Sequence, residues 1–191
     1  FRQSYPDVKL ELLFTDANVD LVSEGIDLAV RLGPSLTGDV VATRLFATAY
    51  KVVASPDYLK SAPKIKHPSD LAKHPCTVFS LPAFRSEWKF RPMTRKSKSE
   101  EVVAITPSVL VSSALSLRSI VLEGGGPALL PDWLVGNDIS KGRLVDICPK
   151  HQVTATEFDT AAWLIYPSRS YLPQKVRVMI DFLKKKLNLM G

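Results

Sequence analysis

The 191-residue sequence predicts an α/β fold in two lobes joined by two crossover strands. Three observations predict it. Strand-like and helix-like patterns alternate from the start, the texture turns polar and antiparallel beyond Ser80, and a strand followed by a helix ends the chain. A chain that leaves an α/β lobe near Cys76 and returns near Ala161 builds one lobe from residues 1–75 and 161–191 and the other from 76–160. Two lobes joined in this way can clamp a small ligand between them.

Each element follows from local chemistry. Residues 1–4 read as the tail of a helix, and Tyr5-Pro6-Asp7 as a turn, since proline pushes its predecessor out of the helical region. Residues 8–14 alternate apolar and polar before turning wholly apolar, the pattern of a half-buried strand. Asn18 or Asp20 can cap a short helix over Val19, Leu21, Val22 and Ile26 that Gly25 stops. Residues 28–33 then form a second strand, emptying into Gly33-Pro34, so this region reads as a βαβ unit with parallel strands. Strand patterns recur at 40–45 and 50–54, followed by Ser55 as a helix cap with Pro56 as the first helical residue. The same grammar marks a short helix at Pro68 to Leu71, ahead of an apolar strand at 76–80.

The middle section carries strands at 87–90 and 102–105 around a charged loop at 95–100. Residues 110–122 read as a helix with a broad apolar face, ending at Gly124-Gly125-Gly126. A short strand at 127–130, a helical turn opened by Pro131 and a strand at 143–147 follow, and His151 falls in a polar loop. A last strand at 161–166 precedes a helix from Pro173 with Val176, Met179, Ile180, Leu183 and Leu187 on one face.

Composition excludes several classes. With 46% hydrophobic and 23% charged residues the chain is neither disordered nor fibrous. No stretch approaches the roughly 20 uninterrupted apolar residues of a membrane helix, and the start lacks the apolar core of a signal peptide. Cys76 and Cys148, as the two cysteines, exclude a disulfide scaffold, fit a reducing cytoplasm and read as buried small hydrophobes. The net charge of +6 is spread along the chain, with local runs at Arg95 to Lys98 and Lys184 to Lys186 that read as solvated faces rather than a nucleic-acid stripe.

Catalytic machinery is absent from the pattern. There is no nucleophile elbow and no P-loop, and the glycine run precedes a strand instead of opening a helix. His67 and His74 each precede a proline and read as exposed or locally bonded, and no carboxylate or cysteine stands at a metal-ligand spacing from a histidine. The reading is therefore of a non-enzyme without metal or cofactor. Binding has more support. Ser112 and Ser113 lie at the start of a helix, whose unpaired amides and dipole attract an anion, although Ser112 could equally cap its own helix. Arg31 ends a strand at the edge where open parallel sheets bind ligands, with a salt bridge to Asp27 or Asp16 as the competing reading. Ser80-Leu81-Pro82 and Thr106-Pro107-Ser108 read as strand-end loops that could also face the cleft.

Several segments carry a resemblance. Tyr5-Pro6-Asp7-Val8, residues 19–33 (Val19-Asp20-Leu21 through Ala29-Val30-Arg31-Leu32-Gly33), residues 54–59, residues 70–76, residues 129–134 and Tyr166-Pro167-Ser168-Arg169 stand in the order and spacing of the effector-binding domain of LysR-type transcriptional regulators, which the sequence resembles over nearly its whole length. The resemblance implies two Rossmann-like lobes of the type 2 periplasmic-binding-protein kind, with the family's first strand missing ahead of Phe1. It implies a small effector, a homodimer or homotetramer and DNA contact through a winged helix-turn-helix absent from this chain; the helix start at Ser112 and Ser113 and the net charge read as fitting an anionic metabolite, and the two cysteines and the lack of a membrane helix as a cytoplasmic location without membrane contact. Position by position it places Arg31, Leu32, Gly33, Pro34, Ser80, Leu81, Ser108, Ser112, Ser113 and Gly126 at the effector. It also implies a dimer pairing residues 19–24 of one protomer with the helix at 110–122 of its partner. The chain departs from the family at Gly124-Gly125-Gly126-Pro127, where aliphatic residues usually take the second and fourth places; the extra glycine is expected to loosen that turn. A solute-binding protein for uptake, on the same fold, is the alternative reading.

Overall fold

A computed structural model describes residues 1–17, 19–34, 40–94, 99–168 and 172–187. In chain order the strands are β1 Ala29–Gly33, β2 Val40–Thr48, β3 Tyr50–Ala54, β4 Pro75–Phe79, β5 Glu87–Pro92, β6 Glu101–Ala104, β7 Thr106–Val111, β8 Ala128–Pro131, β9 Val145–Asp146, β10 His151–Thr154 and β11 Thr160–Pro167. The helices are α1 Pro56–Ser61, α2 Ala114–Leu122, α3 Asp132–Ser140 and α4 Gln174–Leu187, with tighter 3₁₀ turns at Pro68–Lys73 and Pro82–Phe84. They fall into two units, Phe1–Thr48 with Asp159–Gly191, and Ala49–Phe158.

In the first unit β11 lies between β1 and β2 and runs antiparallel to both. Its Ala162 and Leu164, with Leu45 of β2, receive Val176 and Ile180 of α4, and Leu183 and Leu187 close the same stripe. Those four helix positions fall at i, i+4, i+7 and i+11, the apolar spacing that marked the helix in sequence.

Two elements expected ahead of β1 do not form. Residues 8–14 form no regular element and make no ladder with any described strand, and Leu12, Leu13 and Phe14 are 67%, 63% and 88% exposed. Alternation reports which face a strand would bury; a strand also needs a partner for its backbone groups, and this segment has none among the described residues. The expected helix over 19–26 is a single turn. Asp20 caps it, its Oδ1 accepting from Val22 N at 2.8 Å and Ser23 N at 3.1 Å, and Gly25 ends it with φ 65°. Cap and stop stand so close together that no second turn can propagate; Asn18, the other candidate cap, lies outside the described residues. Without a first strand there is no parallel βαβ unit, and β1 pairs antiparallel with β11 from the far end of the sequence.

The second unit is built on the sheet β6-β5-β10-β3-β8, with β9 also on β3, and all these pairings are antiparallel. Its period of two separates two cores. Val52 and Leu129 join Trp88, Phe90, Val103 and Val153 in one core, whereas Val53, Ala128 and Leu130 join Leu117 and Val121 of α2, Val135 of α3 and Leu144 in the other. β4 and β7 form a separate parallel pair.

Here too the structure corrects the sequence expectations. The chain crosses between units at Thr48 rather than near residue 75, because all the partners of β3 lie in the second unit; it returns at Asp159, beside the expected 161. Leu110 and Val111 end β7 rather than opening a helix, so Thr106, Pro107 and Ser108 are strand residues and α2 begins at Ala114. Val109 and the β-branched ends of this run favour a pleated strand over a helix. His151 starts β10, its ring set edge-on against Phe90, instead of lying in a loop. The Ser55 cap and Pro56 start of α1 stand as expected, with Ser55 Oγ accepting from Tyr58 N at 3.2 Å. The charged run at 95–98 lies outside the described residues; in the other run, Lys185 and Lys186 are exposed on α4.

Candidate functional site

The parallel pair β4–β7 gathers most of the polar loop residues singled out in the second unit. Ser80 N donates to the Val111 carbonyl at 2.8 Å, so the carboxyl ends of the two strands are held side by side. Ser80 and Leu81 leave one strand there, and Ser112 and Ser113 leave the other. This is the edge at which open parallel sheets take ligands. Arg85, at the end of the Pro82–Phe84 turn, donates from Nε to the Ser80 carbonyl at 2.6 Å, which fixes a guanidinium beside the strand ends. The N-terminus of α2 completes this edge with its partial positive charge.

The two serines have different tasks. Ser113 is the helix cap, its Oγ accepting from Ser116 N at 3.4 Å, so self-capping falls one residue later than the sequence reading placed it. Ser112 is exposed, and its hydroxyl has no partner among the described residues.

Ser108 and Gly126 belong near the other end of the pair. Ser108 is the extra residue in the register between Cys76 and Thr77, and its hydroxyl donates to the Cys76 carbonyl at 3.1 Å. Four residues along a strand separate Cys76 from Ser80, about 13 Å. Gly126 adjoins Pro75, so the structure does not bring Ser108 and Gly126 to the strand ends that hold Ser80 and Ser112.

The glycine run is fixed rather than loose. Gly125 N donates to the Ile120 carbonyl at 2.9 Å and Gly124 N to the Val121 carbonyl at 3.1 Å, the paired bonds that end a helix with a left-handed residue. The Thr77 hydroxyl donates to the Gly125 carbonyl. A Cβ on Gly126, whose φ is 90°, would run into the Pro75 carbonyl oxygen. A depression of about 390 Å³ lies beside this run, lined by Ser119, Ile120, Glu123, Gly124 and Gly125. It sits at the carbonyl end of α2 with a carboxylate in its wall, electrostatically unsuited to an anion.

Arg31, Leu32, Gly33 and Pro34 lie in the first unit. A terminal nitrogen of Arg31 donates to the Val19 carbonyl at 2.7 Å, and the Gly33 carbonyl accepts from Trp163 Nε1 at 3.1 Å. Asp27, one proposed partner of Arg31, pairs instead with Lys175 at 2.9 Å. Leu32 is 39% exposed on the strand face opposite Arg31, and Pro34 is exposed.

One buried polar group, Asp138, escaped the sequence reading, and a second, His74, is locally bonded as read but buried. Asp138 of α3 is fully buried between Arg118 and Arg143, whose guanidinium groups hold its carboxyl below the usual carboxylate range, the Arg118 hydrogen bonds being the main cause. The available signal was its spacing of three from Val135, which puts a carboxylate in the core-facing register of the helix. His74 is 1% exposed and shares a 2.8 Å hydrogen bond between Nδ1 and the Tyr58 hydroxyl, so it is locally bonded but not exposed. Cys76 and Cys148 are buried in one core, and burial pushes both thiols up to about 12. Such thiols are protonated at neutral pH and are poor nucleophiles. Among the described residues no group of three His, Cys, Asp or Glu side chains could hold a metal ion, and no helix is long and apolar enough to cross a membrane.

Comparison with known proteins gives these features a family. The LysR substrate binding domain model matches residues 1–188. The chain belongs to this family. Among curated LysR-type relatives, the transcriptional regulator PtxR of Pseudomonas aeruginosa is 30% identical over 98% of the chain and 57% of its own length. The transcriptional regulator CrgA of Neisseria meningitidis is 31% identical over the whole chain and 62% of its own length. The chain thus spans under two thirds of these relatives. The solved structure of the CrgA regulatory domain superposes with a TM-score of 0.78 at 29% identity, covering 97% of the chain and 87% of that domain. Full-length AphB of Vibrio cholerae, a virulence activator, matches with a TM-score of 0.78 at 25% identity over 97% of the chain and 60% of AphB. The LysR-family chain therefore has the two-lobe, periplasmic-binding-protein-like α/β fold of these regulatory domains. The relatives are transcriptional regulators, which does not favour the transport reading.

Proposed function

We propose that this chain is the effector-sensing regulatory part of a LysR-type transcriptional regulator and that it binds a small anionic metabolite at the carboxyl ends of β4 and β7. One observation carries the reading of the ligand: the guanidinium of Arg85, tied to Ser80, stands at the same edge as the exposed Ser112 hydroxyl and the N-terminus of α2. The whole regulator works in the cytoplasm as a homodimer or homotetramer, reads DNA through a winged helix-turn-helix domain, and catalyses no reaction. Effector binding shifts the population between its arrangements by binding one of them more tightly.

Calorimetric titration with a panel of short mono- and dicarboxylates tests the site. A saturable signal is expected that Ser112→Ala and Arg85→Ala each weaken. Binding unchanged in both variants would remove the site assignment.

A further inference from the structure

Outside the proposed effector site, the one buried side-chain polar atom among the described residues that lacks a hydrogen-bond partner is Nε2 of His74. His74 links three elements. It follows the Pro68–Lys73 turn, its amide donating to the Leu71 carbonyl at 3.0 Å; it opens into β4, where Cys76 Sγ lies 3.5 Å from its carbonyl; and its Nδ1 meets Tyr58 of α1. Leu71 and Cys76 on either side are fully buried in the larger core of the second unit.

A neutral imidazole fits this place. One ring nitrogen is paired with the Tyr58 hydroxyl, and the other costs no more than one unmet hydrogen bond. An imidazolium does not fit, because both nitrogens then carry protons and the buried Nε2–H would have a charge and no acceptor. The ionisable groups of the surrounding elements do not remedy this. On α1 stand Tyr58 and the exposed Asp57–Lys60 ion pair; on the turn stand His67, Asp70 and Lys73; on β4 stands the protonated thiol of Cys76; and β6, packed on the turn, carries Glu101. Of these Asp70 favours the charged ring, but its carboxylate already accepts from the amides of Lys66 and His67 at 3.0 Å. Burial outweighs it and holds the ring below the usual histidine value.

We propose that His74 is a proton-operated latch: neutral, it pins the Pro68–Lys73 turn and the start of β4 to α1, and protonated, it releases them so that the ring reaches water. The linkage has a definite sign. The unfolded or opened chain binds the proton more readily, so the stabilisation is complete above the ordinary histidine pKa of about 6.5 and is lost as pH falls below it. β4 runs from the latch to Ser80, so release at its amino end acts on the strand whose other end carries the proposed effector site. The latch stands whether or not that reading of the effector site holds.

The test is an NMR titration of the His74 ring in the whole chain from pH 8 to pH 5, with hydrogen exchange of the His74 and Thr77 amides over the same range. The ring is expected to titrate below histidine in a model peptide. The opening constant of both amides, corrected for intrinsic exchange, should rise about tenfold for each pH unit lost in that window. His74→Gln should abolish that pH dependence. A ring that titrates at or above the peptide value overturns the proposal, as does the same acid-dependent opening in His74→Gln. The wild-type ring titration decides alone if the variant does not fold.

Discussion

Asp138 of α3 receives Arg118 of α2 as a fork, Nε to Oδ2 at 2.5 Å and a terminal nitrogen to Oδ1 at 2.8 Å, with the carboxylate wholly out of solvent. Arg143, just beyond α3, reaches Oδ1 as well at 2.5 Å. The cluster ties the two helices of one core together, and the two partners differ in weight because Arg118 is bidentate and less exposed than Arg143.

Removing one side of a buried ion pair leaves the other charge uncompensated. Arg118→Ala, which leaves Asp138 with Arg143 as its remaining partner, is expected to destabilise the second unit by about 1.5–3 kcal/mol, and Arg143→Ala by clearly less. Urea unfolding followed by circular dichroism reads both. The pH dependence has its own sign. Asp138 is held below the usual carboxylate range, so its contribution is complete above an unfolded carboxyl pKa of about 4 and lost as pH falls through the lower folded value. In Asp138→Asn that acid-side loss should shrink; an unchanged acid limb would assign it to other carboxylates.

The glycines after α2 separate two kinds of constraint. A side chain on Gly124 meets open space, so Gly124→Ala carries only the cost of its left-handed backbone, about 1–2 kcal/mol. Gly126→Ala adds a collision with the Pro75 carbonyl and should lower the melting temperature more. Equal shifts in thermal unfolding would show that β4 yields at Pro75.

The serines separate capping from binding. Ser113→Ala removes a helix cap and should cost about 1 kcal/mol of stability, whereas exposed Ser112→Ala should stay within about 0.5 kcal/mol. Carboxylate titration should rank them the other way, with the larger relative loss of affinity in Ser112→Ala once each variant is compared at matched folded fraction. A Ser112 variant as destabilised as Ser113→Ala would overturn the division of roles.

What was legible in sequence was what neighbouring residues decide among themselves. Ser55 and Pro56 start α1 because a side-chain oxygen and a missing amide act within one turn, and the stripe of α4 is set by a helical period that needs no knowledge of its partner. Buried β8 and β11 announced themselves by continuous apolar runs. The order of family segments along the chain carried the fold as a whole, and with it the outline of a ligand-binding regulator.

Tertiary structure decided whatever depends on a partner distant in sequence. Residues 8–14 have the alternation of a strand and no ladder, β1 pairs with β11 across more than a hundred residues, and the crossing at Thr48 follows from the pairing of β3. The same holds for the polar groups. Asp138 is buried because two arginines from elsewhere in the chain neutralise it, and His74 stays neutral because the core closes over a ring with one partner. Hydrogen-bond pairing and desolvation are long-range in sequence although short-range in space, and they separate a strand pattern from a strand and a lone histidine from a latch.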